Sequence, residues 1–489
     1  MAWDFCTDPD VQARLDWADR FVAEEIEPIE SLLYDVVDVG RPDGAIAELF
    51  EQWRQEVKDQ KLYAAHLPVE QGGQGFGEVN LALLNEVIGR SYWAPHVFAT
   101  GPGTPGSGQS DVLAVFGTDQ QKQRWLYPLL EGKITMIYSM TEPHGGADPT
   151  GFRCQAVRDG DEWVINGDKF FSSGAEQAEL ILLMAVTDPD ASAYRGMSMF
   201  IVPSNAPGVR IFGELGGRDD DDEEYRGVGF GHHPYIRYQD VRVPADHLIG
   251  EQGKAFEMAQ RRLSAGRMHH AMRAVALAKR EFEMICERAL SRYTQGGLLA
   301  EKQLVQEMVA DAWLELTQFR LLILHAAWVI EKDGYGKARR YVAACKVKAA
   351  EIQRDMAYKA THIHGALGTT NTLPITRATD WLGIADGPTE VHKVSLARQV
   401  LRDYQPTTDL WPTRFRPRTL IKARARLDEI VAARLPDTAP AELHELLQTS
   451  TNGNDAAIAR MSEFMHMTTE EGLYADFDPA ARIFDPIRR

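Results

Sequence analysis

Four long stretches of helical pattern in the second half of the chain constrain its fold most. Apolar residues recur there every three to four positions, as they do on one face of an amphipathic helix. Helices of this length bury their apolar faces against one another, so we expect them to form a helical bundle. The predicted helices cover residues 259–293, 300–332, 337–363 and 388–403.

A different texture, rich in β-branched and aromatic residues, occupies residues 131–244. Its short runs at 136–140, 163–165, 180–186, 198–202 and 235–243 are typical of strands, and sequences such as 158–160 (RDG) and 166–168 (NGD) are turns between them. A helical pattern that begins at Asp8-Pro9 precedes this region. The fold class is therefore α+β. The predicted domains are an N-terminal helical domain (1–130), a middle β domain (131–248), a C-terminal helical bundle (249–404) and a C-terminal extension (405–489).

The charge of the chain limits the classes of partner. With 489 residues and a formal charge of −18 at pH 7, we expect neither non-specific nucleic-acid binding nor attachment to an anionic membrane. The acidic run 219–224 is interpreted as a solvated loop rather than a cation site, because adjacent like charges repel. Four scattered cysteines, an acidic N-terminal sequence without a signal-peptide pattern and short apolar runs favour a soluble, cytoplasmic protein.

The turn Asp386-Gly387-Pro388 stands immediately before the last predicted helix. Pro388 suits a first helical position, because its missing N–H would have no partner there. Asp386 therefore has two interpretations. It caps the helix and interacts with the helix dipole, or it is a general base held on a rigid turn. The turn by itself favours the cap, since caps are far commoner than bases.

The segment 383–398, GIADGPTEVHKVSLAR, resembles the active-site segment of the acyl-CoA dehydrogenase family. Most members carry Glu-Gly-Thr in this turn, with Glu as the base, and one branch carries Ala-Asp-Gly-Pro-x-Glu-Val-His, which this chain matches. Other members take their base from a Glu just before an active-site arginine. The matching arginine here is Arg267, and Gly266 precedes it. The resemblance implies that Asp386 is the base and that the fold is acyl-CoA dehydrogenase-like.

Two segments of the β region resemble those that surround the flavin in this family. Residues 138–148, YSMTEPHGGAD, are similar to T-E-P-x-x-G-S-D, with Ala147 in the usual Ser position. Residues 166–174, NGDKFFSSG, are similar to N-G-x-K-x-W-I-T-N, which implies that the ring of Phe171 stacks beside the flavin and that Ser173 bonds its hydride-accepting edge. The cofactor-binding residues implied in these segments are Tyr138, Met140, Thr141, Gly146, Ala147, Phe171, Ser172 and Ser173.

Further segments resemble those that bind the distal half of FAD. Arg292-Tyr293-Thr294 and Gln303 resemble R-x-T-F-G and the later Gln that hold the pyrophosphate, which an arginine fork can bind through two hydrogen bonds. Residues 362–368, HIHGALG, resemble the Q-x-x-G-G-x-G loop. These motifs act on FAD of the neighbouring subunit, which implies a homodimer or a dimer of dimers. The cofactor-binding residues implied in these motifs are Arg292, Gln303, His362, Gly365 and Ala366. The segment 383–398 adds Pro388, Thr389 and Glu390 as further implied cofactor-binding residues.

The resemblance spans residues 9 to about 404 and implies an activity. It is the FAD-dependent α,β-dehydrogenation of an acyl-CoA thioester to a trans-2-enoyl-CoA, as in fatty acid β-oxidation, with an electron-transferring flavoprotein as acceptor. Two alternatives stay open: a flavin oxidase or monooxygenase of the same fold, and a catalytically weak relative that binds FAD and nucleic acid. No metal site is expected, since His269-His270 lacks metal-ligand spacing. The substrate-binding residues implied are Ala147, Ser264, Arg267 and Gly387.

Overall fold

The computed structural model describes residues 6–34, 36–37, 39, 42–101, 104–214, 233–376, 379–405, 411–434 and 439–469. The acidic run 219–224 lies outside these residues, so its interpretation stays a prediction. Contacts divide the chain into two compact units, Met1–Ala397 and Arg398–Arg489. The first unit carries every residue that the sequence singles out.

The N-terminal part of the first unit is helical. Its first helix begins at Pro9, where the side chain of Asp8 caps it by accepting a hydrogen bond of 2.9 Å from the N–H of Asp10. Aromatic rings, among them Phe50, Trp53 and Trp93, pack together in its core. Two π-helical segments, Val22–Ile26 and Lys122–Leu126, join successive helices. The helices are α1 (Pro9–Phe21), α2 (Glu27–Leu33), α3 (Gly44–Asp59), α4 (Glu78–Ile88), α5 (Ala94–Val97), α6 (Gln109–Phe116), α7 (Asp119–Gln121) and α8 (Tyr127–Leu130).

Among the described residues an eight-stranded sheet follows, and it positions two loops of the candidate site. The strand order is β6-β7-β3-β2-β4-β5-β8, and β1 pairs with β4 in parallel. The loop after β1 and the loop after β3 meet, because the N–H of Phe170 donates to the carbonyl of Thr141 at 2.8 Å. The five predicted strands are confirmed, but the turn predicted at 166–168 is wrong. These residues continue β3 and pair with β7, with a register shift between Ile165 and Gly167. The strands are β1 (Met136–Ser139), β2 (Gln155–Asp159), β3 (Glu162–Lys169), β4 (Leu180–Val186), β5 (Met197–Pro203), β6 (Val209–Glu214), β7 (Pro234–Pro244) and β8 (Leu248–Ile249).

The helical bundle completes the first unit. Helix α9 (Ala255–Ser291) leads through a hairpin of β9 (Tyr293–Thr294) and β10 (Gly297–Leu298) into α10 (Gln303–His364) and then α11 (Thr389–Leu401). Helix α10 is broken at Gly334, whose φ of 78° and ψ of 166° are not helical, so it comprises the two helices predicted at 300–332 and 337–363. The α+β class and the order of helices, sheet and bundle are thus confirmed. The domain boundaries stay a prediction.

Within its described residues, the second unit contains helices α12 (Arg416–Arg434), α13 (Ala439–Thr449) and α14 (Asp455–Thr469). The stretches 420–434 and 442–447, within α12 and α13, have a helical pattern of apolar residues. An ion pair of 3.2 Å joins Arg424 to Asp455, and the ring of Trp411 stacks on Phe415 at 4.3 Å between centroids. This unit carries none of the motifs that resemble the family.

Glu281 makes the stability of the bundle pH-dependent. It is fully buried, accepts hydrogen bonds from the N–H of Thr376 (2.8 Å) and from Gln353 (3.1 Å), and burial raises its pKa from 4.5 to about 7. Because its pKa is raised, protonated Glu281 contributes stability that is fully present below pH 4.5 and is lost as the pH rises through about 7. At about 1.4 kcal/mol per pH unit, the loss is about 3 kcal/mol.

We therefore expect Glu281→Gln to lose less stability than the parent protein between pH 5 and pH 8. Denaturant unfolding at both pH values measures the difference, and Glu283→Gln, at an exposed position on the same helix, is the matched control. An identical pH dependence in Glu281→Gln and the parent would contradict the assignment.

Candidate active site

The turn before α11 has an unusual backbone. Asp386 has a φ of 56° and Gly387 a φ of 113°, so two successive residues lie in the left-handed region. For a residue with a side chain such a conformation costs on the order of 1–3 kcal/mol, and it persists where the surroundings impose it. A β-carbon at position 387 would lie 2.9 Å from Nε2 of His392, so this position requires glycine. The turn places the side chain of Asp386 against helix α9 of the bundle.

The carboxylate of Asp386 lies between two side chains of α9 and is 10% exposed. Nη1 of Arg262 donates to Oδ1 at 2.7 Å. Nε2 of His270 lies 3.3 Å from Oδ2, but the two are not aligned as a hydrogen bond, and Oδ2 has no hydrogen-bond partner among the described residues. A buried carboxylate oxygen without a partner is costly, and it is the atom that a reacting group can approach.

Gly266 provides the space that this carboxylate fills. A β-carbon built at position 266 would stand 2.7 Å from Oδ2 of Asp386. Any side chain at 266 would therefore force the carboxylate to move. A carboxylate at 386 in this position and a side chain at 266 exclude one another.

Three side chains hold the main chain of the turn. Nε of Arg267 donates to the carbonyl oxygen of Asp386 at 2.8 Å, and Nε2 of His392 lies 3.4 Å from the same oxygen. The ammonium group of the buried Lys346 donates to the carbonyl oxygen of Leu382, just before the turn. Burial lowers the pKa of Lys346 to about 8 and that of His392 to about 4. At neutral pH His392 is therefore uncharged, and it contacts the main chain rather than the carboxylate.

The charge around Asp386 favours its ionised form. Burial alone would raise its pKa, but the charge of Arg262, the contact with His270 and the charge of Arg267 outweigh burial. The pKa of the Asp386 carboxyl is consequently well below its usual range in this state. The carboxylate is ionised at any physiological pH, and its affinity for a proton is low while Arg262 remains in contact.

A buried ion pair connects the two loops of the sheet that face this site. Nζ of Lys169 lies 2.8 Å from Oε1 of Glu142 and 2.8 Å from the carbonyl of Met140. The N–H groups of Arg153 and Cys154 donate to the same carboxylate at 2.6 and 3.0 Å. Because the ion pair is almost completely buried, it fixes the loop after β1 against the end of β3.

Comparison with known proteins identifies the family. Family models described as the N-terminal, middle and C-terminal domains of acyl-CoA dehydrogenase match residues 8–133, 138–222 and 253–401. Probable acyl-CoA dehydrogenase FadE2 of Mycobacterium tuberculosis (strain ATCC 25618 / H37Rv) is 36% identical over 373 residues, which cover 74% of this chain and 88% of that protein. The chain belongs to the acyl-CoA dehydrogenase family.

Longer relatives and solved structures of the family are also similar to this chain. Acyl-CoA dehydrogenase family member 11 of Rattus norvegicus is 33% identical over 78% of this chain, but the match spans only 49% of that protein. A solved Mycobacterium abscessus structure of the same family superposes with a TM-score of 0.73 at 35% identity, over 82% of this chain and 100% of that one. The recognition of the family from the sequence is confirmed.

FAD is the cofactor found in solved structures of this acyl-CoA dehydrogenase fold. The glutaryl-CoA dehydrogenase of Mycobacterium smegmatis was solved with FADH2, and it covers 81% of this chain and 95% of its own with a TM-score of 0.67 and 21% identity. The prediction of FAD agrees with this finding. At that identity the likeness concerns the fold, so the fit of the cofactor depends on the residues of this chain.

The loops after β1 and β3 fit a flat, partly polar ring such as the flavin of an acyl-CoA dehydrogenase. Phe171 has a φ of 53° and is 51% exposed, so its ring offers an open aromatic face. The hydroxyl of Ser173 lies 2.7 Å from Nδ1 of His233, and that of Ser172 lies 2.7 Å from Ser139 in the interior. A β-carbon at Gly146 would have only one side-chain atom within 4 Å, so this loop leaves room for a ligand.

Tyr138, near the end of β1, connects the sheet with the residues around Asp386 through its contact with Arg262. The guanidinium group of Arg262 lies over the ring of Tyr138, 4.8 Å from its centroid. The hydroxyl of Tyr138 contacts the sulfur of Met140 at 3.2 Å. Ala147 is exposed, and Ser264 is half-buried on α9. The structure thus brings Tyr138, Arg267 and Gly387 close to Asp386, and their roles toward cofactor and substrate stay a prediction.

The residues predicted to bind the distal half of FAD lie far from Asp386 within one chain. Arg292 follows the end of α9, about 38 Å along the helix from Gly266 at 1.5 Å per residue. His362 lies about 24 Å along α10 from Lys346 by the same measure. Arg292, Gln303, His362, Gly365 and Ala366 are exposed in this chain.

Sequence reasoning did not assign roles to several residues that the structure places at the site. Arg262 and His270 contact the Asp386 carboxylate, Lys346 supports its turn, and Lys169 with Glu142 forms the buried ion pair. A signal was present for the first two. Positions 262, 266 and 270 are four residues apart, and residues with that spacing share one face of a helix.

Two classes of feature are absent from the part of the chain that the structure describes. No three His, Cys, Asp or Glu side chains there are arranged to hold a metal ion. No helix within those residues is long and apolar enough to cross a membrane.

Proposed function

We propose that this protein is an FAD-dependent acyl-CoA dehydrogenase that converts an acyl-CoA thioester to its trans-2-enoyl-CoA, with Asp386 as the general base. The observation that carries the proposal is the position of the Asp386 carboxylate. It is buried, one of its oxygens lacks a hydrogen-bond partner among the described residues, and it fills the space beside Gly266, where other members of the family carry their base. The carboxylate of Asp386 therefore occupies the space that is open because residue 266 has no side chain.

The residues around Asp386 have distinct parts in this proposal. Asp386 removes the α-proton, which passes from the α-carbon to the carboxylate. Arg267 holds the carbonyl of Asp386 and so fixes the turn, whose Asp386 N–H would polarise the thioester carbonyl. Arg262 keeps the base ionised before substrate arrives. An acyl chain that separates Arg262 from Oδ1 raises the pKa of Asp386, because it removes the largest stabilising charge and excludes water.

The loops of the sheet would hold the isoalloxazine end of FAD. Phe171 would stack beside the ring, and Ser173, Thr141 and the backbone of 140–147 would bond its polar edge. When bound, FAD supplies the acceptor for the hydrogen that leaves the β-carbon as hydride. The ion pair of Lys169 and Glu142 keeps the two loops in register around this position.

A second copy of this chain completes the proposed cofactor site. The apolar positions of α11 predicted from the sequence, Val391 and Val394, are exposed in the single chain, as are Trp313 and Leu314 of α10. Exposed apolar side chains on neighbouring long helices favour burial against another subunit. We therefore propose a homodimer or a dimer of dimers, with Arg292 reaching the FAD of the neighbouring subunit.

Arg292→Ala should weaken FAD binding roughly tenfold or more, because the diphosphate would lose charge-assisted hydrogen bonds. FAD content of the dimeric fraction from size-exclusion chromatography measures the effect. Arg210→Ala, which removes an exposed arginine of the sheet, is the control. A dimeric Arg292→Ala protein with full FAD occupancy would count against the intersubunit site.

The location and the electron acceptor are also part of the proposal. All four cysteines lie within the described residues and none forms a disulfide, which fits a reducing compartment such as the cytoplasm.

Steady-state turnover of acyl-CoA thioesters with an electron-transferring flavoprotein, followed by mass analysis of the thioester, tests the activity. We expect loss of two hydrogens from the acyl group and slow reoxidation by air. Rapid reoxidation by air without thioester oxidation would favour an oxidase instead.

A further inference from the structure

His270 lies beside the Asp386 carboxylate, and the proposed mechanism assigns it no role. It lies on α9, one helical turn beyond Gly266, and its side chain is 17% exposed. One ring nitrogen, Nε2, lies 3.3 Å from Oδ2 of Asp386. The edge of the imidazole meets the ring of Trp381 at 5.1 Å and 79°, so the plane of the imidazole is fixed by packing.

Arg273 determines which nitrogen of His270 carries the proton. Its Nη2 lies 3.0 Å from Nδ1 of His270. A guanidinium group only donates hydrogen bonds, so Nδ1 must accept. Burial lowers the pKa of His270, although Asp386 opposes this, and the imidazole is neutral. Its single proton is consequently on Nε2, the nitrogen that faces Asp386.

Arg273 is itself held in place. Its Nη1 donates to the carbonyl oxygen of Thr100 at 3.0 Å. Burial lowers the pKa of Arg273 to about 10, so the group remains protonated at neutral pH. A continuous buried path thus leads from the main chain at Thr100 through Arg273 and His270 to Asp386.

We propose that His270 is a positioning residue for Asp386: its Nε2–H, fixed by Arg273, donates to Oδ2 and holds the carboxylate beside Gly266. The inference rests on the proposed function of Asp386 as base. The distance of 3.3 Å without alignment fits a contact that tightens when substrate binds, as hydrogen bonds of catalytic groups often do. His270 keeps its proton throughout, and Asp386 alone receives the proton of the substrate.

A donated hydrogen bond also limits how basic Asp386 becomes. The donor stabilises the ionised carboxylate, so its removal raises the proton affinity of Asp386. Loss of one such bond to a charged group is expected to shift the acid limb of a pH–rate profile to higher pH by about one unit. The other titratable and charged groups that face Asp386 and His270, from every element packed against them, are Arg262, Arg267, His269, Arg273, Lys346, His392 and Tyr138.

The test compares His270→Phe, which keeps an aromatic ring against Trp381 but has no donor, with His270→Gln, which retains an N–H. Flavin reduction by a saturating acyl-CoA is followed from pH 5 to pH 9. We expect the acid limb of His270→Phe to move upward by about one pH unit and its reduction rate to fall about tenfold. His270→Gln should stay near the parent. His247→Phe, the same change at a buried histidine that contacts the carbonyl of Ile201 in the sheet, should leave the limb in place.

A second readout does not depend on activity. The readout is the thermal unfolding midpoint of the FAD-loaded protein. His270→Phe should lower this midpoint when Asp386 is present. It should lower it less when Asp386 is replaced by Asn, because the two side chains are coupled. Additive effects together with an unmoved acid limb would overturn the inference. If Asp386→Asn reduces its flavin at the parent rate, the proposed base fails. If Asp386→Asn is inactive and His270→Phe retains the parent profile, only the role of His270 fails.

Discussion

Asp386→Asn is expected to slow flavin reduction by an acyl-CoA by a factor of ~10² or more, the usual scale for loss of a general base. The amide has the shape of the carboxylate and can still accept the hydrogen bond from Arg262 at Oδ1. It has no basicity, and its NH₂ group would face the Nε2–H of His270, where Arg273 prevents a change of tautomer. Binding of FAD and acyl-CoA should be retained.

The same substitution has a predictable cost in stability. The pKa of Asp386 is held below its unfolded value of 3.8, so the ionised group contributes stability above that pH, and the contribution is lost as the pH falls. Replacing it by Asn leaves Arg262, Arg267 and Arg273 without their common anion. FAD content and the thermal midpoint of the variant therefore have to be measured beside its rate. A stable variant with the parent rate would show that Asp386 is only a helix cap.

Lys169→Met is expected to destabilise the protein by about 3–5 kcal/mol, because it leaves the buried Glu142 carboxylate without its countercharge. The methylene groups are largely kept, so little cavity is created. The loop from Met140 to Ala147 should lose its fixed position, since the same ammonium group binds the carbonyl of Met140. FAD release on heating should occur at a lower temperature than in the parent.

Two comparisons separate charge from packing in this prediction. Lys133→Met breaks an ion pair of 2.6 Å with Glu131 whose lysine is 72% exposed, and exposed pairs contribute only about 0–1 kcal/mol. The double variant Glu142→Gln/Lys169→Met removes both charges and should recover part of the loss. If Lys169→Met is as stable as Lys133→Met, the buried ion pair does not hold the loops.

The sequence predicts the architecture because the signals for it are local. Helical periodicity in 259–293 depends on neighbouring residues, and the structure has a helix there. The turn predicted at 166–168 is wrong, because strand β3 continues through these residues and its pairing with β7 absorbs the Asn-Gly sequence as a register shift. The break at Gly334 corresponds to the gap between two predicted helices. The DGPTEVH motif likewise predicts the turn that carries Asp386 from residues that are adjacent in the chain.

The contacts of Asp386 are not predictable in the same way. Arg262 is 124 positions away in sequence, and its guanidinium group reaches the carboxylate only because α9 and the turn pack against each other. The pairing of Lys169 with Glu142 depends likewise on the meeting of two loops across the sheet. The separation of Arg292 and His362 from Asp386 follows from the lengths of α9 and α10, and a cofactor site shared between two subunits stays a proposal.

Anaerobic single turnover tests the central claim most directly. The FAD-loaded protein is mixed with acyl-CoA thioesters of different chain length and branching while the flavin absorbance is followed, and the thioester is then analysed. The proposal predicts that at least one thioester bleaches the flavin and yields an equimolar amount of 2-enoyl-CoA, and that Asp386→Asn with the same thioester remains oxidised on that timescale. A flavin that stays oxidised with every thioester, while another class of substrate reduces it, would contradict the proposal.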